Sequence, residues 1–244
     1  MKKTMLFVMM MFTTSIFAQP TADEILKKVD DNLLSASQIV TSKMIIHGRR
    51  GSRTVEAKSW QKGTDDSFTE YLAPAREKGT KMLKLGEQLW TYTPSTDRTI
   101  LISGHMLRQS VMGSDLSYED MMEDPVLHNV YNAKIVGEEK ILDRSVLLME
   151  LKSKKDDLAY DSRKLWVDKE RFIPLKEELY AKSGKLLKQV EIHEVKKIEG
   201  RWVATSLTYK DVLKDGDGTQ MEIETIEFNK TIPDYILSKA SLRR

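Results

Sequence analysis

Between residues 39 and 229 the chain divides into about a dozen short runs of strand-forming residues, joined by connections of only a few residues. Parallel strands need a return path of a dozen residues or more, so runs this closely spaced must pair mainly antiparallel. The first two, 39–47 and 53–60, flank Gly48, Arg49, Arg50, Gly51 and Ser52, a hairpin-like spacing with glycine at both ends. Runs at 67–72, 80–85, 88–92 and 99–102 follow, punctuated by Pro74, Gly79, Gly86 and Pro94. Seven more lie at 133–137, 145–151, 162–167, 174–180, 186–195, 201–209 and 220–229. So many strands in one chain predict a strongly curved, mainly antiparallel sheet. The run Asp215, Gly216, Asp217, Gly218 lacks the spaced ligands and terminal glutamate of a calcium loop and reads as a hairpin turn.

Two features precede the strands. Lys2 and Lys3 lead into an apolar stretch at 5–12, and Ala18 is a small residue suited to cleavage before Gln19, the pattern of an export signal. The apolar stretch falls far short of the ~20 residues that cross a bilayer. The expected division is a signal over 1–18 and a single exported domain over 19–244. With no cysteine in the chain, its core must hold without disulfides. Next, Thr21 and Glu24 have capping-box spacing, and Ala22, Ile25, Leu26, Val29 and Leu33 recur at steps of three and four, predicting an amphipathic helix that fades near 34–37.

The strand rhythm stops once, over residues 103–129. Four of the eight methionines outside the signal fall in this interval, and Met82 lies in the strand region before it. Methionine is flexible and polarizable, which suits a surface that adapts to varied apolar partners and equally suits plain core filling. Ser117 and Asp120 are spaced to cap a short helix that Pro125 would end. A long non-strand insertion is a candidate lid or binding loop; the competing reading is a helix that seals the end of the core.

Charge and motif content exclude several classes. The formal charge of +2 disappears with Lys2 and Lys3, so the body lacks the basic surplus of a nucleic-acid binder. His47, His105, His128 and His193 form no short metal-ligand motif. A triad from Ser110 or Ser114, His105 or His128, and Asp115 can be drawn, but neither serine sits in a nucleophile elbow. The expectation is therefore no catalytic site, no metal and no cofactor.

From Pro74 to Asp120 the residues Pro74, Arg76, Gly79, Thr80, Leu89, Trp90, Tyr92 and Pro94, followed by Met112, Gly113, Ser114, Asp115, Tyr118, Glu119 and Asp120, form a pattern. It resembles that of the outer-membrane lipoprotein-sorting protein family, in its LolA-like branch, and with the signal, first helix and strand succession the resemblance covers essentially the whole chain. It implies a mainly β fold with helices, an incomplete antiparallel β-barrel of the LolA/LolB kind with a helical lid over an apolar concave face. It also implies a periplasmic carrier, soluble after signal cleavage, that holds the acyl chains of lipoproteins for transfer toward the outer membrane. An inner-membrane donor complex and an outer-membrane acceptor would be its partners. The same fold serves binding modules for free lipid or for a regulatory or transport partner, which is the alternative reading.

An exposed acyl chain costs about 0.8 kcal/mol per methylene, so a soluble carrier must hide it and still release it. On this reading the candidate cavity lining is Phe68, Met82, Leu83, Trp90, Leu107, Met112, Met121 and Met122, closed by Ile25, Leu26 and Val29 of the first helix. Trp90 and Tyr92 share a strand face that fits a cavity wall or a packed core equally well. A slip of one residue in any strand would turn a lining residue outward. Arg76 and Asp115, from their positions in the family pattern, are the candidate polar latch across the lid. The strand arginine that holds the lid in the enteric carrier matches no single one of Arg49, Arg50, Arg53 and Arg76.

Overall fold

The computed structural model describes residues 20–48, 51–156 and 158–244. The export-signal reading of 1–18, and Arg49 and Arg50 among the candidate lid arginines, lie outside the described residues. A single antiparallel sheet organises the rest. Its first half is β1 (Ser37–Gly48), β2 (Gly51–Lys62), β3 (Asp66–Ala73), β4 (Lys81–Leu85), β5 (Gln88–Thr93) and β6 (Arg98–Ile102). Its second half is β7 (Tyr131–Ile141), β8 (Arg144–Ser153), β9 (Ser162–Asp168), β10 (Pro174–Tyr180), β11 (Leu186–Ile198), β12 (Arg201–Asp211) and β13 (Thr219–Phe228). Each strand-forming run of the sequence becomes one of these strands.

The strand order is 6-5-4-3-2-1-13-12-11-10-9-8-7, so the first and last strands pair at the centre and the middle of the chain supplies both edges. Every connection between neighbours is a hairpin except the return that brings β13 beside β1. Bulges at Thr41/Ser42, Ile135/Gly137 and Ile192/Glu194 add local twist, which curls the sheet toward a barrel. Closure would require β6 to pair with β7, and it does not occur among the described residues. Residues 103–130, which connect those two edges, span the gap.

Directly paired residues share a face, and their register traces the inner surface across the sheet. Val190 lies opposite Tyr209, Leu207 opposite Met221, Met221 opposite Met44, and Met44 opposite Val55. Further along, Ala57 lies opposite Tyr71, Thr69 opposite Met82, and Leu89 opposite Ile102. The turn before β13 depends on glycine: Gly218 has φ +91°, and a Cβ there would come within 2.9 Å of the Tyr209 carbonyl.

Two segments cover the sheet from opposite sides. Helix α1 (Ala22–Leu33) opens with the expected reciprocal cap: the Thr21 amide donates to Glu24 Oε2 at 2.8 Å, and the Glu24 amide donates to Thr21 Oγ1 at 3.2 Å. It seats Ile25, Leu26 and Val29 on the inner face of β8 and β9, against Leu147, Met149 and Leu165. On the outer face, the C-terminal segment after β13 lays Leu242, Ile236 and Leu237 over Phe68, Leu83 and Trp90, and Lys239 Nζ sits 4.1 Å from the Trp90 ring centroid.

Leu83 is wholly buried under that strap. Leu83→Ala is expected to cost about 2–5 kcal/mol in urea unfolding, the range for a large-to-small change in a packed core. Because the cavity it leaves is on the outer face, binding of an apolar dye by the folded variant should be unchanged.

Candidate binding site beneath the lid

The lid is built from short turns because its sequence offers caps and stops in quick succession. Single 3-10 turns form at Gly104–Arg108 and Val111–Gly113, followed by α2 (Tyr118–Met122) and α3 (Leu127–Val130). Ser117 and Asp120 make the expected capping box, with the Ser117 amide donating to Asp120 Oδ2 at 2.6 Å. The helix ends before Pro125, which separates it from α3. Its apolar side chains, Met106, Leu107, Met112, Met121 and Met122 among them, pack onto the inner face at Met44, Val55, Tyr71, Met82, Leu89 and Ile102.

The structure brings together five of the eight expected lining residues and separates the other three. Met82, Leu107, Met112, Met121 and Met122 meet between lid and sheet. Phe68, Leu83 and Trp90 are a correction: they face outward beneath the C-terminal strap, with Tyr92 beside them. Met82 and Leu83 are consecutive in β4, and the pleat sends consecutive side chains to opposite faces. Trp90 and Tyr92 do share a face, and it is a packed outer one. Ile25, Leu26 and Val29 lie on the inner face but over its other half, against β8, β9 and Leu127 and Val130 of α3.

The expected latch is also corrected. Arg76 stands 91% exposed, its Nε 4.0 Å from Glu77, whereas Asp115 is buried on the far side of the lid. Asp115 accepts the Thr219 hydroxyl at 2.8 Å and the Asp211 amide at 3.0 Å, and donates its own amide to Thr219 Oγ1 at 2.9 Å. The arginine that reaches the lid is Arg53 of β2, whose Nη2 donates to the Met112 carbonyl while Nη1 lies 3.2 Å from Glu77. Met112 and Gly113, at φ +50° and +67°, form the left-handed kink that offers this carbonyl. A Cβ on Gly113 would sit 3.1 Å from Arg53 Nη2.

Other pins come from the opposite half of the sheet. Lys188 Nζ donates to the Asp115 carbonyl at 2.6 Å and to Asp211 at 3.1 Å, and lies 3.7 Å from Asp120. Lys214 donates to Ser110 Oγ at 2.6 Å and to the Ser114 carbonyl at 2.7 Å. The Tyr160 hydroxyl donates to Asp120, and Arg163 Nη2 pairs with Glu123 at 2.6 Å. Arg163 also lies against the rings of Tyr131 and Tyr160, with Glu177 3.8 Å from Nη1. Sequence reasoning missed Arg163, Lys188, Lys214 and Tyr160. The available signal was strand phase: Arg163 alternates in step with Leu165 and Val167, and Lys188 with Val190 and Ile192, which places both cations inward.

Burial shapes the ionisation of this network. It raises the Glu123 and Glu177 carboxyls above the ordinary glutamate value, against the opposing pull of Arg163. The Tyr160 phenol is raised by burial and by Tyr209 and Asp120 beside it, and so remains a donor. Burial lowers the Lys84 ammonium, partly offset by Asp65.

Two hollows adjoin the lid. One, of about 570 Å³, opens at the gap between the sheet edges, bounded by Leu107 and Met122 of the lid, Thr64 and Gly86 of two hairpin turns, and Val130 and Tyr131. The other, of about 330 Å³, is apolar and lies under the C-terminal end of α1, against Leu207, Ile223, Ile226 and Phe228, with Pro125 at its rim. The sequence reading missed it, because a bulge in the β1–β13 pairing puts Ile226 on the same face as Ile223 despite their odd spacing. The imagined triad is not assembled: Asp115 is bound to Thr219 and Asp211, while His128 Nδ1 pairs with Asp30 at 2.6 Å. Among the described residues no group of three His, Asp or Glu could hold a metal ion.

Residues 63–244 match a family model described as "Uncharacterized protein". The chain belongs to that family. No curated protein matches it. Solved structures place the fold more informatively. A DUF1329 family protein from Desulfovibrio piger superimposes with a TM-score of 0.83 at 24% identity, over 91% of this chain and 98% of that one. A putative outer membrane lipoprotein-sorting protein domain from Vibrio parahaemolyticus gives 0.77 at 23% identity, over 91% and 98%. A LolA superfamily protein from Nitrosomonas europaea gives 0.74 at 25% identity, over 91% and 100%. The unclosed antiparallel sheet with its helical lid is thus a LolA-like fold.

Two outcomes follow from the pins. Arg53→Ala should raise the rate of tryptic cleavage at the exposed lid residue Arg108 roughly threefold, the loss of one partly solvated charged hydrogen bond, whereas Arg76→Ala should leave it unchanged. Glu177 has a folded-state value raised above the unfolded one, so its favourable contribution is complete below the unfolded value and is lost as pH rises through the folded one. Glu177→Gln should therefore match the parent in thermal stability near pH 4 and exceed it increasingly toward pH 7, as measured by melting curves across that range.

Proposed function

We propose that the protein is an envelope carrier that binds the acyl chains of lipoproteins between its lid and the inner face of its sheet, for transfer toward the outer membrane, without chemical turnover. The observation that carries this reading is the construction of the lid: a methionine-rich apolar underside held to the sheet by discrete polar pins. Among the described residues no strand of the sheet pairs with the lid, so it can leave without breaking the sheet.

In the closed state the lid methionines fill the hollow that cargo would occupy. Opening would expose Met44, Val55, Tyr71, Met82, Leu89 and Ile102. An acyl chain laid there regains about 0.8 kcal/mol per buried methylene, against roughly 1 kcal/mol for each hydrogen-bonded pin released. A chain of ordinary length therefore offsets several pins, and the same near-balance lets it leave again. Methionine tolerates such exchange because its unbranched chain repacks easily. The apolar hollow under α1 extends the greasy surface beyond the lid.

The likeness to the Vibrio parahaemolyticus sorting domain supports this reading. So does the signal pattern at residues 1–18, which would deliver a domain at 19–244 to the periplasm. A membrane donor complex and an outer-membrane acceptor are the partners such a cycle requires.

With no native cysteine, the test is direct. Asp115→Cys with Thr219→Cys joins two positions already in hydrogen-bond contact across lid and sheet. The oxidised variant should lose capture of a diacylated lipoprotein from detergent-free membranes, and reduction should restore it. Equal capture in both states would overturn the proposal, and capture of free lipid alone would favour the lipid-binding module.

A further inference from the structure

The 570 Å³ hollow at the gap differs from the greasy lid interface in its charge and in one unsatisfied donor. Its wall carries the carboxylates of Asp65, Glu87, Glu119, Glu123 and Asp124. Against these stand the cations Lys84, Lys155 and Arg163, leaving an excess of negative charge. Arg163 is 7% exposed, and its Nε is buried without a hydrogen-bond partner. Such an orphaned donor is costly to bury unless something accepts from it. The charge of that guanidinium is already committed to Glu123 and Glu177. What Nε lacks is an acceptor atom, and a second anion would meet the surrounding carboxylates.

We infer that this hollow is a headgroup site, which takes the polar end of an amphiphile through a neutral ester or amide carbonyl on Arg163 Nε and discriminates against anionic headgroups. The inference rests on the acyl-carrier reading and names the class of cargo that reading leaves open. Leu107 and Met122 line the hollow and belong to the apolar packing beneath the lid, so an acyl chain there and its carbonyl-bearing end here fit one molecule. A diacylated peptide with a neutral or cationic tail meets these conditions, and so does a zwitterionic lipid. Phosphatidylglycerol offers the same carbonyls and fails on charge. The effect is repulsion of the wrong partner as much as attraction of the right one.

The test is displacement of bound N-phenyl-naphthylamine by three probes of equal acyl length: a diacylated lipopeptide with a lysine tail, phosphatidylcholine and phosphatidylglycerol. Phosphatidylglycerol should bind about tenfold more weakly than the lipopeptide at low salt, with phosphatidylcholine between them, and the gap should shrink as salt rises. Asp65→Asn combined with Glu87→Gln, both on hairpin turns outside the lid pins, should narrow that gap to about threefold or less. Arg163→Lys, which keeps the charge and removes Nε, should weaken the lipopeptide and phosphatidylcholine alike. Equal binding of all three probes, or a gap unmoved by the double variant, overturns the headgroup site while leaving the acyl carrier intact. Binding of none overturns both. Preference for phosphatidylcholine over the lipopeptide would assign the site to lipid rather than acylated peptide and overturn the ranking by charge.

Discussion

The missing pairing between β6 and β7 is the constraint on which the rest of this protein depends. A sheet of this length and twist tends to close, and closure would satisfy both edges and fill the interior with its own side chains. Here the chain leaves the sheet at one edge and re-enters at the other, and the connection lies across the inner face. Apolar surface that a closed barrel would bury permanently is instead covered by a segment that, among the described residues, pairs with no strand of the sheet. The cover and the gap are two consequences of one topological choice.

The forces holding the cover are of two kinds, and they divide the work. Methionine and leucine contacts supply area without directional demands, so they can be exchanged for other apolar groups. The polar pins supply position: Arg53 on one side, and Lys188, Lys214, Tyr160 and Arg163 on the other, each meeting a particular carbonyl or carboxylate of the lid. The buried ionic contacts, those of Lys188 and Arg163, add little net stability once desolvation is counted, but a misplaced lid would leave them unpaired at high cost. Register is their contribution. The burial that raises Glu123 and Glu177 is the same burial that makes the pins selective.

Much of the architecture was legible from residue order. Strand periodicity, glycine and proline punctuation, the Thr21/Glu24 and Ser117/Asp120 caps, and the break over 103–129 are local signals, each written within a few neighbouring residues. The candidate site was legible only in part. Leu107, Met112, Met121 and Met122 were found because they cluster in one segment, and Met82 because it is methionine. Phe68, Leu83 and Trp90 were misplaced because an apolar strand with both faces covered shows no alternation to say which face is inward. The strap that covers their face comes from the far end of the chain.

By itself the sequence determined that the chain forms many short antiparallel strands, that one helix is amphipathic, and that a capped, methionine-rich interval interrupts the sheet. These follow from hydrogen-bond periodicity and backbone sterics, which act over a few residues. Tertiary structure alone decided that the interval bridges the two sheet edges, that Arg53 and not Arg76 reaches it, and which lid groups Lys188 and Arg163 meet. Those pairs join residues between 40 and 104 positions apart, from Tyr160 with Asp120 to Lys214 with Ser110. Contacts at such separations exist only after the sheet has curled, since it is the curvature that brings opposite walls within hydrogen-bond reach of the same lid.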